Sequence, residues 1–454
     1  MPDFDVIVIG AGPAGLSAAA QAARHGLTVQ IVEQRATIGG AIHRQPIEGA
    51  TPVAVSTTAA NRFEALKAGI SNPLVKIRFS SVFSGIDGQG QVLIDDRIAR
   101  RMDYVHAKAV IVATGAVEAV RPVPGWELPG VSTAGGIQVM MKETGSPPVG
   151  QVLLAGSGPL LIALAAQMIR LGKPPVAIVE SGDPLRRISA SAGLVRFPEL
   201  LFDALSYLAT VAFSRVPWFR SAELLNIERA NGKLCAVVRT AKGPREFLVD
   251  RIGLHNGIRE NAIGLPTAES IARQANPAMP IILKAGDCRE ALGVLAAAAD
   301  GARAGAEAAR AIKGSADQNP SFRRAVDRQR TAQALLARVF APIRPLRPLS
   351  QLPDETILCR CERRSIGDLK AIVGRDDVLS GREVKHNGRF AMGLCQGRFC
   401  ADNAANLMAE LKPEMQAPAV ADLTGCRWPV RPIAIQSILN AAPAFNDNTN
   451  EVQP

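Results

Sequence analysis

The chain opens on a short apolar run, Phe4 to Ile9, which runs directly into Gly10-Ala11-Gly12-Pro13-Ala14-Gly15 and an alanine-rich stretch closing near His25-Gly26. The run has the character of a buried parallel strand, and the stretch after it predicts a helix. A second apolar run, Thr28 to Val32, ends on Glu33. The same order returns further on. Gln151 to Ala155 predicts a strand, Gly156-Ser157-Gly158-Pro159-Leu160-Leu161 a turn, the stretch to about Leu171 a helix, and Val176 to Val179 a strand ending on Glu180. Two more apolar runs, Ala109 to Val112 and Ile281 to Leu283, lead into Ala113-Thr114-Gly115-Ala116 and Ala285-Gly286-Asp287. Strands alternating with helices predict an α/β chain with two Rossmann-like units. The window Val152 to Ile169 nears membrane-spanning length, but Gly156-Ser157-Gly158-Pro159 and Gln167 break it. It reads as a buried strand, turn and helix, and no transmembrane segment is expected.

Composition narrows the class. With 454 residues and 47% hydrophobic content, the chain can fill two or three domain cores. A formal charge of +11 raises the question of nucleic acid, yet aromatics are only 4% and no Lys/Arg run interleaves with them, which argues against it. An acidic partner, an anionic substrate or a peripheral contact with anionic lipid stays open. Seven cysteines without an N-terminal secretory signal point to a reducing compartment, taken as the cytoplasm.

The first glycine cluster stands where dinucleotide chemistry needs it. Gly10 permits the tight turn, Gly12 lets backbone approach a diphosphate, and Gly15 lets helix and strand pack closely. The helix N-terminus presents free N–H groups to the anion, and Glu33 sits at the distance suited to ribose hydroxyls. In the second cluster Leu161 takes the third glycine's place. A large side chain there is expected to push helix from strand, so a second adenine nucleotide at Gly156, Gly158 and Glu180 remains an open alternative with NADPH disfavoured by the Glu180 charge.

After Glu33 comes Gly39-Gly40-Ala41-Ile42-His43-Arg44, and with GAGPAG, Ala113-Thr114-Gly115 and Gly286-Asp287 this resembles the two-dinucleotide-domain flavoproteins that bind FAD first. That resemblance implies a discontinuous FAD domain over 1–120 and 248–315 with an NAD-like domain, 121–247, inserted. It also implies FAD-binding roles for Gly10, Gly12, Pro13, Ala14, Gly15, Glu33, Gln34, Gly40, Arg44, Val82, Thr114, Gly115, Gly286 and Asp287. No paired cysteines occur in the first 230 residues, so the redox disulfide of thioredoxin-reductase-like enzymes is missing. Cys235, Cys288 and Cys426 are single, and each reads as a packed core thiol. Cys288, beside Asp287 at a helix start, is the one where a thiolate could be stabilised.

A proline- and arginine-rich segment, Ala341 to Pro348, predicts a stiff connector within 316–350. Beyond it Cys359 and Cys361 form C-x-C, and Cys395 and Cys400 form C-x4-C. Four thiolates can hold either an iron-sulfur cluster or structural zinc. The short C-x-C spacing departs from the usual zinc knuckle. From Cys359 to Cys400 there are nine Lys/Arg against five Asp/Glu, an excess suited to a cluster of net negative charge. The run Cys359-Arg360-Cys361-Glu362 and Met392-Gly393-Leu394-Cys395-Gln396-Gly397-Arg398-Phe399-Cys400 resembles the bacterioferritin-associated ferredoxin type of [2Fe-2S] domain, placed at 351–435 with a tail over 436–454.

With Arg121 to Val131 and the late Pro429-Val430-Arg431-Pro432, the whole chain resembles the larger flavoprotein subunit of heteromeric opine oxidases, and is similar to subunits of D-hydroxyproline dehydrogenase and hydrogen cyanide synthase. The resemblance implies an electron-relaying subunit that works beside an amine-oxidase-like flavoprotein subunit, with a small [2Fe-2S] subunit often added. Two other classes remain: a self-contained NADH-dependent reductase and a zinc-stabilised assembly scaffold. The five histidines, at 25, 43, 106, 255 and 386, allow no catalytic acid-base group to be assigned from sequence.

Overall fold

The computed structural model describes residues 3–187, 192–262, 279–314, 320–375, 380–414, 418–425 and 429–441. Cys426 and most of the tail lie outside them.

The first apolar run forms β1 (Phe4–Ile9), and the alanine stretch forms α1 (Pro13–Arg24) with Pro13 in its first turn, where its missing N–H costs nothing. β1 lies between β2 (Val29–Val32) and the long β6 (Arg101–Val112), parallel to both, with Val6 opposite Val29 and Ala109. Helix α2 (Thr57–Gly69) and β3 (Val75–Arg78), β4 (Ser81–Ile86) and β5 (Gln91–Asp96) complete a sheet of order β3-β2-β1-β6-β5-β4. The strand Ile281–Lys284 also pairs with β6. One half of β6 thus serves a parallel sheet and the other an antiparallel meander. Helix Val294–Lys313 returns against α1. The two backbones approach closely, because a Cβ at Gly301 would lie 2.0 Å from the Ala14 carbonyl oxygen. Alanines from both helices fill that core.

The second unit begins after β7 (Ala116–Glu118). Strand β8 (Val131–Thr133), helix α3 (Ala134–Thr144), β9 (Val152–Gly156), α4 (Pro159–Arg170), β10 (Ala177–Glu180) and β11 (Trp218–Arg220) precede the antiparallel β12 (Glu223–Ala230), β13 (Lys233–Thr240) and β14 (Gly243–Val249). The apolar window is therefore a strand and a helix. Among the described residues no helix is long and apolar enough to cross a membrane. The expected return to the first unit at 248 falls too early. β15 (Arg251–His255) pairs in parallel with both β8 and β9, so the chain leaves this sheet only after His255, and β16 (Ile258–Glu260) then pairs with β7. Leu161 does not force α4 away. It is fully buried in a core with Ile137, Met141 and Leu154.

Residues 349–423 build a third core, in which Leu349, Leu358, Ile366, Leu369, Phe390 and Leu407 surround Cys359 and Cys400. Two of its helices start on capping boxes, Ser365 with Asp368 and Ser380 with Glu383, each satisfying orphan N–H groups at the first turn. This module is fastened to the second unit. Trp126, 1% exposed, donates from Nε1 to the Ile357 carbonyl at 2.5 Å, and the Arg360 guanidinium lies over its ring at 5.0 Å. Asn403 donates to the Val120 carbonyl at 2.8 Å.

Candidate functional site

A cavity of about 630 Å³ lies at the carboxyl end of β1, within the range of ligand-binding clefts. It is lined by Gly10, Gly12, Pro13, Ala14, Glu33, Gln34, Gly40, Arg44, Val82, Thr114, Gly115 and Asp287, twelve of the fourteen residues expected around FAD. Gly15 and Gly286 stand behind the wall instead. A Cβ at Gly15 would lie 1.8 Å from the Gly10 carbonyl oxygen, and one at Gly286 would lie 2.5 Å from the Ala14 Cβ. Both serve packing.

Gly12 is different. Its φ of −79° suits any residue, and the nearest atom to an added Cβ, the Gly40 Cα, is 3.7 Å away. Neither the backbone nor the packing of the protein demands glycine here. A side chain at this position would stand where the fingerprint brings backbone up to a diphosphate, so the cradle fits the dinucleotide that the motif predicts. Arg44 agrees with it. Its Nε is buried without a hydrogen-bond partner, and the nearest carboxylate, Glu143, is 3.6 Å away.

The carboxylates around the cavity are already held by protein donors. Glu33 accepts from the Ala11 N–H at 2.8 Å and from the Arg35 N–H at 3.0 Å. Asp287 accepts from the Leu292 and Gly293 N–H groups, and burial pushes its carboxyl above the usual range. Glu118, which the sequence did not single out, accepts from the Gly135 N–H at 2.9 Å and lies 2.9 Å from His255 Nδ1. The carboxylate–imidazole pair that could not be assembled from sequence thus forms between residues 137 apart, and only its Glu118 end lines the cavity. Lys142 ties α3 to the cavity loop by donating to the Ala41 and Ile42 carbonyls, and burial lowers its ammonium to about 8. Cys288 is 1% exposed and burial raises its thiol, so it fits the packed-thiol reading rather than a thiolate.

The second fingerprint has the same strand, turn and helix but little space. A gap of about 70 Å³ remains beside Gly156 and Ser181, far below the volume of a ligand cleft. The imidazole of His255 comes within 3.3 Å of the Cβ position of Gly158, and the connector fills the rest. Ser157 Oγ donates to the Phe340 carbonyl at 2.6 Å, Pro342 bridges Gly182, and the Ile343 N–H donates to the Ser181 carbonyl. Glu180, the would-be ribose ligand, is fully buried and accepts from the Gly158 and Gly182 N–H groups. Burial raises its carboxyl to about 7. The proline-rich connector is therefore a packed strap across this unit.

The four cysteines converge in two pairs. Cys400 lies against Cys359 and Cys395 against Cys361. Cys359 and Cys400 are buried, Cys395 is half-buried and Cys361 is exposed. The Cys400 thiol and backbone N–H groups of Glu362, Ala391 and Cys361 lower the Cys359 thiol to about 6, while Cys400 as the donor of the pair is pushed up. The loops around them hold Arg363, Arg389, Ala391 and Gln396 at positive φ, a conformation that costs energy for non-glycine residues. Soft sulfur donors and converging N–H groups suit a thiolate-bound metal group. The sulfurs do not close into a finished set, however. Among the described residues no group of three or more His, Cys, Asp or Glu is arranged to hold a metal ion.

The loop bearing Cys395 and Cys400 also reaches the dinucleotide cavity. Arg398 lines it, donating from Nε to Asn261 Oδ1 at 3.0 Å and from Nη1 to the Cys395 carbonyl at 3.0 Å. Asn261 in turn donates to the Thr114 carbonyl at 3.2 Å. Burial, with Arg431 nearby, lowers the Arg398 guanidinium to about 10. Arg398 and Arg431 were not recognised as cavity residues from sequence, although both lie inside motifs that the sequence makes plain.

Residues 4–193 match the pyridine nucleotide-disulphide oxidoreductase family. The chain is 28% identical to an opine oxidase subunit of Agrobacterium tumefaciens (strain Ach5), over 96% of this chain and 91% of that relative. It is also 28% identical to hydrogen cyanide synthase subunit HcnB of Pseudomonas aeruginosa, over 87% and 90%. These relatives are named as subunits of multi-subunit enzymes. The solved structure of L-proline dehydrogenase from P. horikoshii shares the fold, with a TM-score of 0.64 at 19% identity over 96% of this chain and 79% of that one.

Proposed function

We propose that this chain is an FAD- and [2Fe-2S]-carrying electron-transfer subunit of a heteromeric dehydrogenase that oxidises opines or related secondary amino acids. One observation carries the relay: the loop holding Cys395 and Cys400 supplies a wall of the dinucleotide cavity through Arg398. The two redox sites would then be neighbours within one body. Gly10, Gly12 and the N-terminus of α1 would take the diphosphate, Glu33 the ribose, and Cys359, Cys361, Cys395 and Cys400 the cluster. Bound FAD supplies the conversion between two-electron and one-electron steps. The protein would hold the two sites together through the loop bearing Arg398.

The resemblance of the whole chain to the opine oxidase relative supports the substrate class and an amine-oxidase-like partner subunit. The filled second fold weighs against NADH as the electron source. No acid-base catalyst is assigned to this chain, since substrate oxidation would belong to the partner.

The test is cofactor analysis of anaerobically purified protein, followed by reconstitution. One FAD, two irons and two sulfides per chain, with amine oxidation only after an amine-oxidase-like subunit is added, are expected. Zinc in place of iron, or full turnover by this chain alone, would overturn the proposal.

A further inference from the structure

Two cations, Arg398 and Arg431, line the wall of the dinucleotide cavity. Arg398 bonds only to neutral oxygens, Asn261 Oδ1 and the Cys395 carbonyl, and Arg431 donates to Gln34 Oε1 at 3.0 Å. Among the described residues neither forms an ion pair, whereas nearby arginines do: Arg259 with Asp402, and Arg35 and Arg44 with Glu143. The cavity's own carboxylates do not serve them. Glu33 and Asp287 are occupied by backbone N–H groups, and Glu118 by backbone N–H groups and His255.

Both arginines line the cavity that Gly10 and Gly12 also line. Arg398 is held by Asn261, which donates to the Thr114 carbonyl on the cavity wall. Arg431 is held by Gln34, next to Glu33, which accepts from the Ala11 N–H of the glycine turn. Like charges placed together and half-buried are unfavourable unless an anion joins them. A dinucleotide diphosphate has two negative charges, and guanidinium groups match phosphate oxygens in geometry.

We propose that Arg398, on the cysteine module, and Arg431, packed beside the first unit, are diphosphate-binding residues that act while α1 presents its N-terminus. The inference rests on the FAD reading of the cavity and extends it. Through Arg398, part of one cofactor's anchor is then built on the module that carries the cysteines.

The test is calorimetric titration of the full-length chain, stripped of flavin, with FAD, ADP and adenosine. In an Arg398→Met/Arg431→Met double variant, ADP and FAD affinities are expected to fall roughly 100-fold with adenosine affinity unchanged, as two charge-assisted contacts are lost. The Arg398→Lys/Arg431→Lys variant should recover most of that loss, and the salt dependence of ADP binding should flatten in the methionine variant. Equal ADP affinity in wild type and double variant would overturn the inference, as would equal losses for ADP and adenosine. Should the double variant fail to fold, Arg431→Gln alone, whose side chain gives up one bond to Gln34, is read against the same criteria. A wild-type chain that binds neither FAD nor ADP would instead sink the FAD reading itself.

Discussion

The two dinucleotide folds of this chain share a strand, a glycine turn, a proline-led helix and a glutamate at the end of the next strand, yet one is open and the other is filled. In the first, the space beyond Gly12 is clear and Arg44 Nε has no partner. In the second, His255 and the strap at residues 340–343 pack against the glycine turn, and Glu180 is buried. The comparison teaches that a fingerprint specifies a turn and a helix, while the ligand is decided by what the rest of the chain leaves beside them.

The largest expected effect breaks the open fold in two distinguishable ways. Gly12→Val should leave the protein folded, with a melting temperature near that of wild type, but should remove nearly all bound flavin, because the added side chain enters only the cradle. Gly15→Val should instead destabilise the whole domain by about 3 kcal/mol or more, since its Cβ meets backbone. Flavin absorbance and thermal unfolding of both variants check the pair. Equal stability of the two would contradict the division between packing glycine and binding glycine.

Next is the filled fold. Mixing the purified chain with NADH in a stopped-flow instrument should give little or no bleaching of the flavin, and NADH should not protect against thermal unfolding. Rapid stoichiometric bleaching would mean that the strap moves aside. In the cysteine module, on the proposed [2Fe-2S] reading, Cys395→Ser or Cys400→Ser should abolish or severely perturb the reduced-state paramagnetic signal, as each would remove a proposed thiolate ligand. Retention of the full wild-type signal would remove these residues from the ligand set.

The smallest effect concerns Glu180. Its folded-state value is raised to about 7, above the ordinary 4.5, so the native state holds the proton more tightly than the unfolded chain. That contribution is fully present below about pH 4.5 and is lost as pH rises to about 7. Glu180→Gln should therefore flatten the stability profile across this window, with a gain on the order of 1 to 2 kcal/mol at pH 8 relative to pH 5. Chemical denaturation at both pH values measures it. An unchanged profile would show that Glu180 is not protonated beneath the strap.

What was legible in the sequence is what is local. β1, the glycine turn and α1 follow one another within 21 residues, and each announces itself by apolar run, turn chemistry or alanine content. Most of the cavity could be read that way. Arg398 and Arg431 could not, because their place in the wall depends on contacts made across more than 100 residues of chain. Leu161 was legible as a broken motif but misleading as a steric wedge, since α3 and β9 supply a pocket that receives it. The strap was legible as stiff and not as occupied, because nothing in a run of prolines and arginines says which surface it will cross.

Trp126 has a consequence for kinetics. Its indole is bonded to Ile357 and covered by Arg360, so the cysteine module is clamped to the body at a buried residue rather than tethered by a swinging linker. A carrier on a free arm delivers its charge by diffusion, and its turnover slows as the solvent thickens. A clamped one behaves as a fixed conductor, whose internal transfer is indifferent to viscosity and set only by the distance and the medium between its terminals.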